Sequence, residues 1–112
     1  MKEIKAIIRP AKLPHVREAL RKLPGCPGMT VSEAEGFSAP AHVPSVRDIK
    51  QALTDYSPKT HLEIIAPDDL VAEIVNTICA CAATGQLGDG VVWVNDVETF
   101  TRIGRSENLT ET

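Results

Sequence analysis

Two stretches with one plan, a strand pattern followed by a helix pattern and a second strand pattern, divide this chain and leave it few folds to adopt. In the first, residues 2–9 alternate, so Ile4, Ala6 and Ile8 share one face of an extended segment while Lys5, Ile7 and Arg9 take the other. Pro10 ends it. From Pro14 the spacing turns helical, with Leu13, Val16, Leu20 and Leu23 on one stripe and Arg17, Glu18, Arg21 and Lys22 facing away. Pro24-Gly25 stops this helix at about Leu23. Alternation then returns over Met29 to Phe37, through Met29, Val31 and Glu33, until Gly36. The second stretch opens with a strand over His61 to Ala66, closed by Pro67. Asp68 and Asp69 supply a cap and negative charge at a helix start, and Leu70, Val71, Ile74, Val75, Ile78 and Ala82 recur at three and four residues. Thr84-Gly85 places glycine where a left-handed C-cap belongs, Val91 to Val97 is a fourth strand, and 102–112 is a polar tail.

Two such βαβ halves close most simply as one α+β domain over 1–112. The expected fold is ferredoxin-like βαββαβ, a four-stranded antiparallel sheet with two helices on one face. The other sheet face is then bare, yet several strands place Ile, Val or Trp on it, so the domain is expected to bury that face against copies of itself in a closed ring. Residues 38–59 separate the halves. They hold Pro40, Pro44 and Pro58, few large apolar side chains and no sustained period, beyond room for a short helix over Val46 to Leu53. A structureless loop of this length in a small domain is either functional or evidence against the assignment.

Charge and composition narrow the function classes. With 15 acidic against 12 basic side chains, the chain lacks the clustered Lys and Arg that neutralise phosphates along a nucleic acid. No apolar run is long enough to span a bilayer, and Met1-Lys2-Glu3 leads straight into a strand pattern without a signal-peptide profile. A cytoplasmic location is expected. The 3 cysteines, Cys26, Cys79 and Cys81, are an odd number unsuited to a disulfide framework. Cys79 and Cys81 stand about 200° apart around a helix, so they do not readily share one metal ion, and they are expected to pack as small apolar groups.

Chemistry concentrates in Thr84-Gly85-Gln86-Leu87-Gly88-Asp89-Gly90, between a helix end and a strand. Two readings stand side by side: a glycine-rich nest whose backbone amides face an anion, or a helix cap followed by an Asp-Gly turn. His15, His42, His61 and the cysteines are the candidate metal ligands. His42 and His61 flank the base of the long loop, where copies in a ring would gather imidazoles suited to zinc, copper or nickel. Trp93 reads as a core or subunit contact, and Asp68 and Asp69 as cap residues and not catalytic carboxylates. No set of nucleophile, base and orienting group is found, so an enzyme is not expected.

The wider pattern resembles the PII signal-transduction family along nearly the whole chain. Met1 through Pro10 is similar to that family's opening strand, and Leu13 with Val16-Arg17-Glu18-Ala19-Leu20 to its first helix. Gly28-Met29-Thr30-Val31 with Gly36-Phe37 resembles its second strand, Thr84-Gly85 with Gly88-Asp89-Gly90 its signature loop, and Arg102-Ile103 the start of its C-terminal loop. The resemblance implies a homotrimer that binds an adenine nucleotide (ATP, ADP or AMP) between subunits and controls a partner, a transporter, enzyme or regulator, through segment 38–59, the family's T-loop. It further implies that Gly36 and the backbone near Ser38 approach phosphates, that Gly88, Asp89 and Gly90 cradle them, and that Arg102, with Arg105, adds charge. Ile7, Thr30, Glu63 and Ile65 would surround the base.

Four positions depart from the family pattern. Val91 stands where the family has a lysine after Gly-Asp-Gly, and Gly104 displaces the second arginine to Arg105. Pro40, in Gly36-Phe37-Ser38-Ala39-Pro40, takes the region of a glutamine that serves 2-oxoglutarate sensing through magnesium. Tyr56 lacks the neighbours of the tyrosine that is uridylylated or adenylylated in many members. Neither 2-oxoglutarate sensing nor tyrosine modification is therefore expected. The competing reading is a metal-binding or metal-responsive trimer of CutA-like architecture, linked to cation efflux, using His42, His61 and Cys26.

Overall fold

The computed structural model describes residues 1–36 and 57–104. Strand β1 spans Lys2–Ile8, helix α1 Leu13–Arg21, β2 Thr30–Gly36, β3 Ser57–Ala66, helix α2 Val71–Ala82 and β4 Gly90–Asp96. Short 3-10 turns over Pro10–Lys12 and Asp68–Leu70 lead into the two helices. The sheet runs in the order β2-β3-β1-β4, with every neighbouring pair antiparallel. This is the ferredoxin-like arrangement that the two strand–helix–strand halves imply.

The alternation in the sequence sorts the two faces. Ile4, Ala6 and Ile8 of β1 and Leu62, Ile64 and Ala66 of β3 are at most 1% exposed, beneath Val16 and Leu20 of α1 and Ile74, Ile78 and Ala82 of α2. Leu13, Leu23, Leu70, Val71 and Val75 complete the packing at the margins, as the helical stripes require. On the opposite face the register sets Ile7 beside Val91, Lys5 beside Trp93 and Glu63 beside Thr30. No element covers that face within the protomer among the described residues, and Val91 and Trp93 are 57% and 39% exposed.

Three element ends differ from their expected positions. β3 begins at Ser57, where Ser57, Pro58 and Lys59 pair with Gly36, Glu35 and Ala34, so the intervening segment is shorter than 38–59 at its far end. Pro58 is tolerated because β1 pairs only as far as Thr60, leaving this extension of β3 with a neighbour on one side. Asp68 and Asp69 make no side-chain cap, since the 3-10 turn draws them inside the first turn behind Pro67. Asp68 instead pairs with the Met1 amino group at 3.0 Å, which holds its carboxyl below its ordinary range. The second helix ends at Ala82 with Ala83 extended, so Gly85, although at φ 80°, serves a separate turn and not a helix cap.

One cysteine also sits elsewhere than expected. Cys81 packs against the core, whereas Cys79 is exposed. Cys26 is half-buried, and burial raises its thiol pKa. Trp93 lies on the uncovered face and not in the core. No helix among the described residues is long and apolar enough to cross a membrane.

Candidate functional site

Strands β1 and β4 stop together at one end of the sheet, where β3 runs on past them, and that end carries a polar cluster. Ile8 is opposite Gly90 on one side and Thr60 on the other. Continuing the antiparallel register by one residue brings Arg9 level with both Asp89 and Lys59. Arg9 donates from Nε to Asp89 Oδ1 at 3.1 Å and from Nη2 to the Leu87 carbonyl at 2.6 Å. Lys59 Nζ donates to the Gly88 carbonyl at 3.3 Å.

Asp89 is the hub of the loop before β4. Its carboxylate accepts from the Thr84 amide at 2.7 Å, from the Gly85 amide at 3.0 Å and from the Thr84 hydroxyl. The Gln86 amide in turn donates to Thr84 Oγ1 at 3.2 Å. These donors hold the Asp89 carboxyl well below the usual carboxylate range, the Thr84 hydroxyl and amide contributing most and Arg9 and the Gly85 amide adding to them. Glycine is obligatory at the loop's exit: at Gly90, with φ 122°, an added Cβ would stand 1.9 Å from the Ile7 carbonyl oxygen. Asp89 therefore shapes the loop from within, and two cations lie against its Leu87-Gly88 half.

These cations were not legible from composition or motif. Arg9 reads as an outward strand residue and Lys59 as part of a loop, and only the strand register brings them to Gly88. An added Cβ at Gly88 would lie 3.6 Å from Arg9 Nη2 and 3.9 Å from Lys59 Nζ. Positive charge is thus present at the loop although Val91, paired with Ile7, is apolar.

The remaining candidates spread over the uncovered face. Ile7 lies at the loop end of β1, opposite His61 and Val91. Thr30 and Glu63 face each other farther along, and Ile65 lies opposite Glu3. From Ile7 to the level of Ile65 is four residues of strand, about 13 Å. One protomer accordingly does not wrap these four side chains around a single ring. Gly36 closes β2 opposite Ser57. Arg102 follows β4 with its guanidinium over the Phe100 ring, 5.4 Å from the centroid. Ser38, His42 and Arg105 lie outside the described residues.

His61 sits on β3 with Nδ1 3.4 Å from Ser32 Oγ and Nε2 3.8 Å from Glu63 Oε1. Lys5 approaches Glu3 and Glu63 at 3.9 Å each. Among the described residues no group of three or more His, Cys, Asp or Glu side chains is arranged to hold a metal ion.

Comparison with known proteins decides the family. Residues 1–108 match the family model described as nitrogen regulatory protein P-II. The chain belongs to the P-II family. It is 43% identical over 107 residues to nitrogen regulatory protein P-II 1 of Escherichia coli K12, covering 96% of this chain and 95% of that protein. It is 39% identical over 108 residues to nitrogen regulatory protein P-II of Bradyrhizobium diazoefficiens, covering 96% of each chain. The P-II protein of Klebsiella oxytoca is 42% identical over 107 residues, covering 96% of this chain and 95% of that protein.

Proposed function

We propose that this P-II family member is a regulatory protein and not an enzyme: a homotrimer that binds an adenine nucleotide between subunits and controls a partner protein through the segment between β2 and β3. The observation that carries the nucleotide reading is the loop 84–90, closed from within by Asp89 and approached by Arg9 and Lys59. A preshaped glycine loop beside two cations suits a phosphate chain, because backbone curvature and positive charge are supplied before the ligand arrives.

The same face supports assembly into a trimer. Ile7 and the loop stand at one end of the sheet, Glu63 and Ile65 toward the other, so a cleft that uses all of them needs the loop of one subunit against the β3 of the next. The exposed Val91 and Trp93 give that face apolar area to bury on assembly. Phosphates would lie along Gly88, Asp89 and Gly90, with Arg102 and Arg105 as further cations and Gly36 and Ser38 at the root of the partner segment. Ile7, Thr30, Glu63 and Ile65 would flank the base. Pro40 and the setting of Tyr56 leave 2-oxoglutarate sensing and tyrosine modification out of this reading.

Calorimetric titration of the purified protein with ATP, ADP and AMP tests it. Micromolar binding of at least one nucleotide is expected, weakened about tenfold or more by Arg102→Ala through loss of a charge-assisted contact. Absence of binding by all three nucleotides, with and without magnesium, rejects the nucleotide reading.

A further inference from the structure

Arg9 counts as nearby positive charge in the nucleotide site as proposed above, yet its hydrogen bonds go to the loop itself and link that loop to the sheet. It directly follows β1, and its extended backbone, at φ -67° and ψ 136°, lets the side chain reach the loop before β4. The guanidinium spends two nitrogens on two different parts of the loop, the Asp89 carboxylate and the Leu87 carbonyl. Asp89 in turn holds the amides of Thr84 and Gly85. One fork thus fixes the late half of the loop directly and the early half through a carboxylate. Among the described residues Lys59 reaches one carbonyl, that of Gly88.

We propose that Arg9 is a positioning residue for the phosphate loop: it sets the curvature of residues 84–90 through Asp89 and the Leu87 carbonyl and does not contact the ligand. This rests on the reading that the loop receives nucleotide phosphates. Its chemistry separates arginine from lysine. A guanidinium offers donors at fixed spacing and bridges two acceptors, whereas an ammonium on a flexible stem acts as a point charge and does not reproduce the pair. A residue that merely supplied charge would be replaceable by lysine.

The experiment compares Arg9→Lys, Arg9→Ala, Asp89→Asn and the double variant Arg9→Ala/Asp89→Asn. It uses amide hydrogen exchange of the nucleotide-free protein and ATP affinity, with the circular dichroism melt as a control for folding. Both Arg9 variants should speed exchange of the Thr84 and Gly85 amides, and both should weaken ATP binding by a similar factor, about tenfold as for a lost charge-assisted hydrogen bond. The double variant should lose less ATP affinity than the two single losses combined, because Arg9 acts in part through that carboxylate. Wild-type affinity in Arg9→Lys, or unchanged exchange at 84 and 85 in Arg9→Ala, overturns the proposal. Additive losses in the double variant overturn it as well, since they make Arg9 an independent ligand contact. If the wild-type protein binds no nucleotide, the phosphate reading fails, while exchange at 84 and 85 still decides whether Arg9 shapes the loop.

Discussion

The two faces of this sheet are made by the same strands, one residue out of step, and they follow different rules. Under the helices stand Ile4, Ala6, Ile8, Leu62, Ile64 and Ala66, all apolar and shut off from water. On the other side Glu3, Lys5, His61 and Glu63 form a weakly paired polar field beside Ile7, Ile65, Val91 and Trp93. The covered face needs only to exclude water, which any close-packed apolar set achieves. The bare face keeps charge and exposed apolar area together, a combination with no use in an isolated protomer and a clear one at an interface that also holds a polar ligand. Folding is thus written on one face, and the proposed function places recognition on the other, with loop 84–90 at their common end.

Truncation across the sheet should break or confirm this division most sharply. Ile64→Ala or Ile78→Ala should cost about 2–5 kcal/mol in urea unfolding, through lost burial and an unfilled cavity. Ile65→Ala, one residue along on the bare face, should cost within about 0.5 kcal/mol when the protein is dilute enough to be monomeric. A core-sized penalty at Ile65 that grows with protein concentration would show that face buried in an assembly.

The boundary between the faces can be tested at Gly90. Gly90→Ala would drive a Cβ into the Ile7 carbonyl, so either β4 shifts away from β1 or the loop changes its exit. A loss on the order of 2 kcal/mol is expected, from strain at a left-handed position combined with a backbone clash. An unchanged melting curve would mean that the β1–β4 register is softer than its pairing suggests. Trp93→Asp probes the bare face alone. It should leave the circular dichroism melt of the protomer near wild type and shift sedimentation from a trimer toward a monomer; a trimer that survives this charge would move the interface elsewhere.

How much of this was readable beforehand depended on distance along the chain. The covered face was legible, because period two in β1 and β3 and the stripes of α1 and α2 are local signals strong enough to fix both partners of the core. Pro58 hid the start of β3, since proline normally marks a loop and its tolerance here depends on β1 stopping short. Asp68 looked like a cap because its partner, the Met1 amino group, is remote in sequence. The glycine loop was recognisable as a motif, but its mechanics were not. Arg9 and Asp89 are 80 residues apart, and nothing short of the strand register puts a guanidinium on that carboxylate. The family resemblance implies a phosphate cradle in this loop, whereas the hydrogen bonds assign Asp89 to holding the loop itself.

That assignment carries the finest prediction, in pH. The Asp89 carboxyl is depressed in the folded protein, so its ionisation favours the closed loop at any pH above the ordinary aspartate value of about 3.9. The contribution falls away only as pH drops from there through the depressed folded value, because protonation then removes an acceptor from the Thr84 and Gly85 amides and the charge facing Arg9. Between pH 5 and pH 8 the loop's amide protection, corrected for intrinsic exchange, should therefore stay flat. Carboxyl carbon shifts followed by NMR should place the Asp89 inflection below the ordinary aspartate value. An inflection near 3.9 for Asp89 would mean that the amides and Arg9 do not hold its charge in solution. The loop would then be no better organised than the bare face beside it.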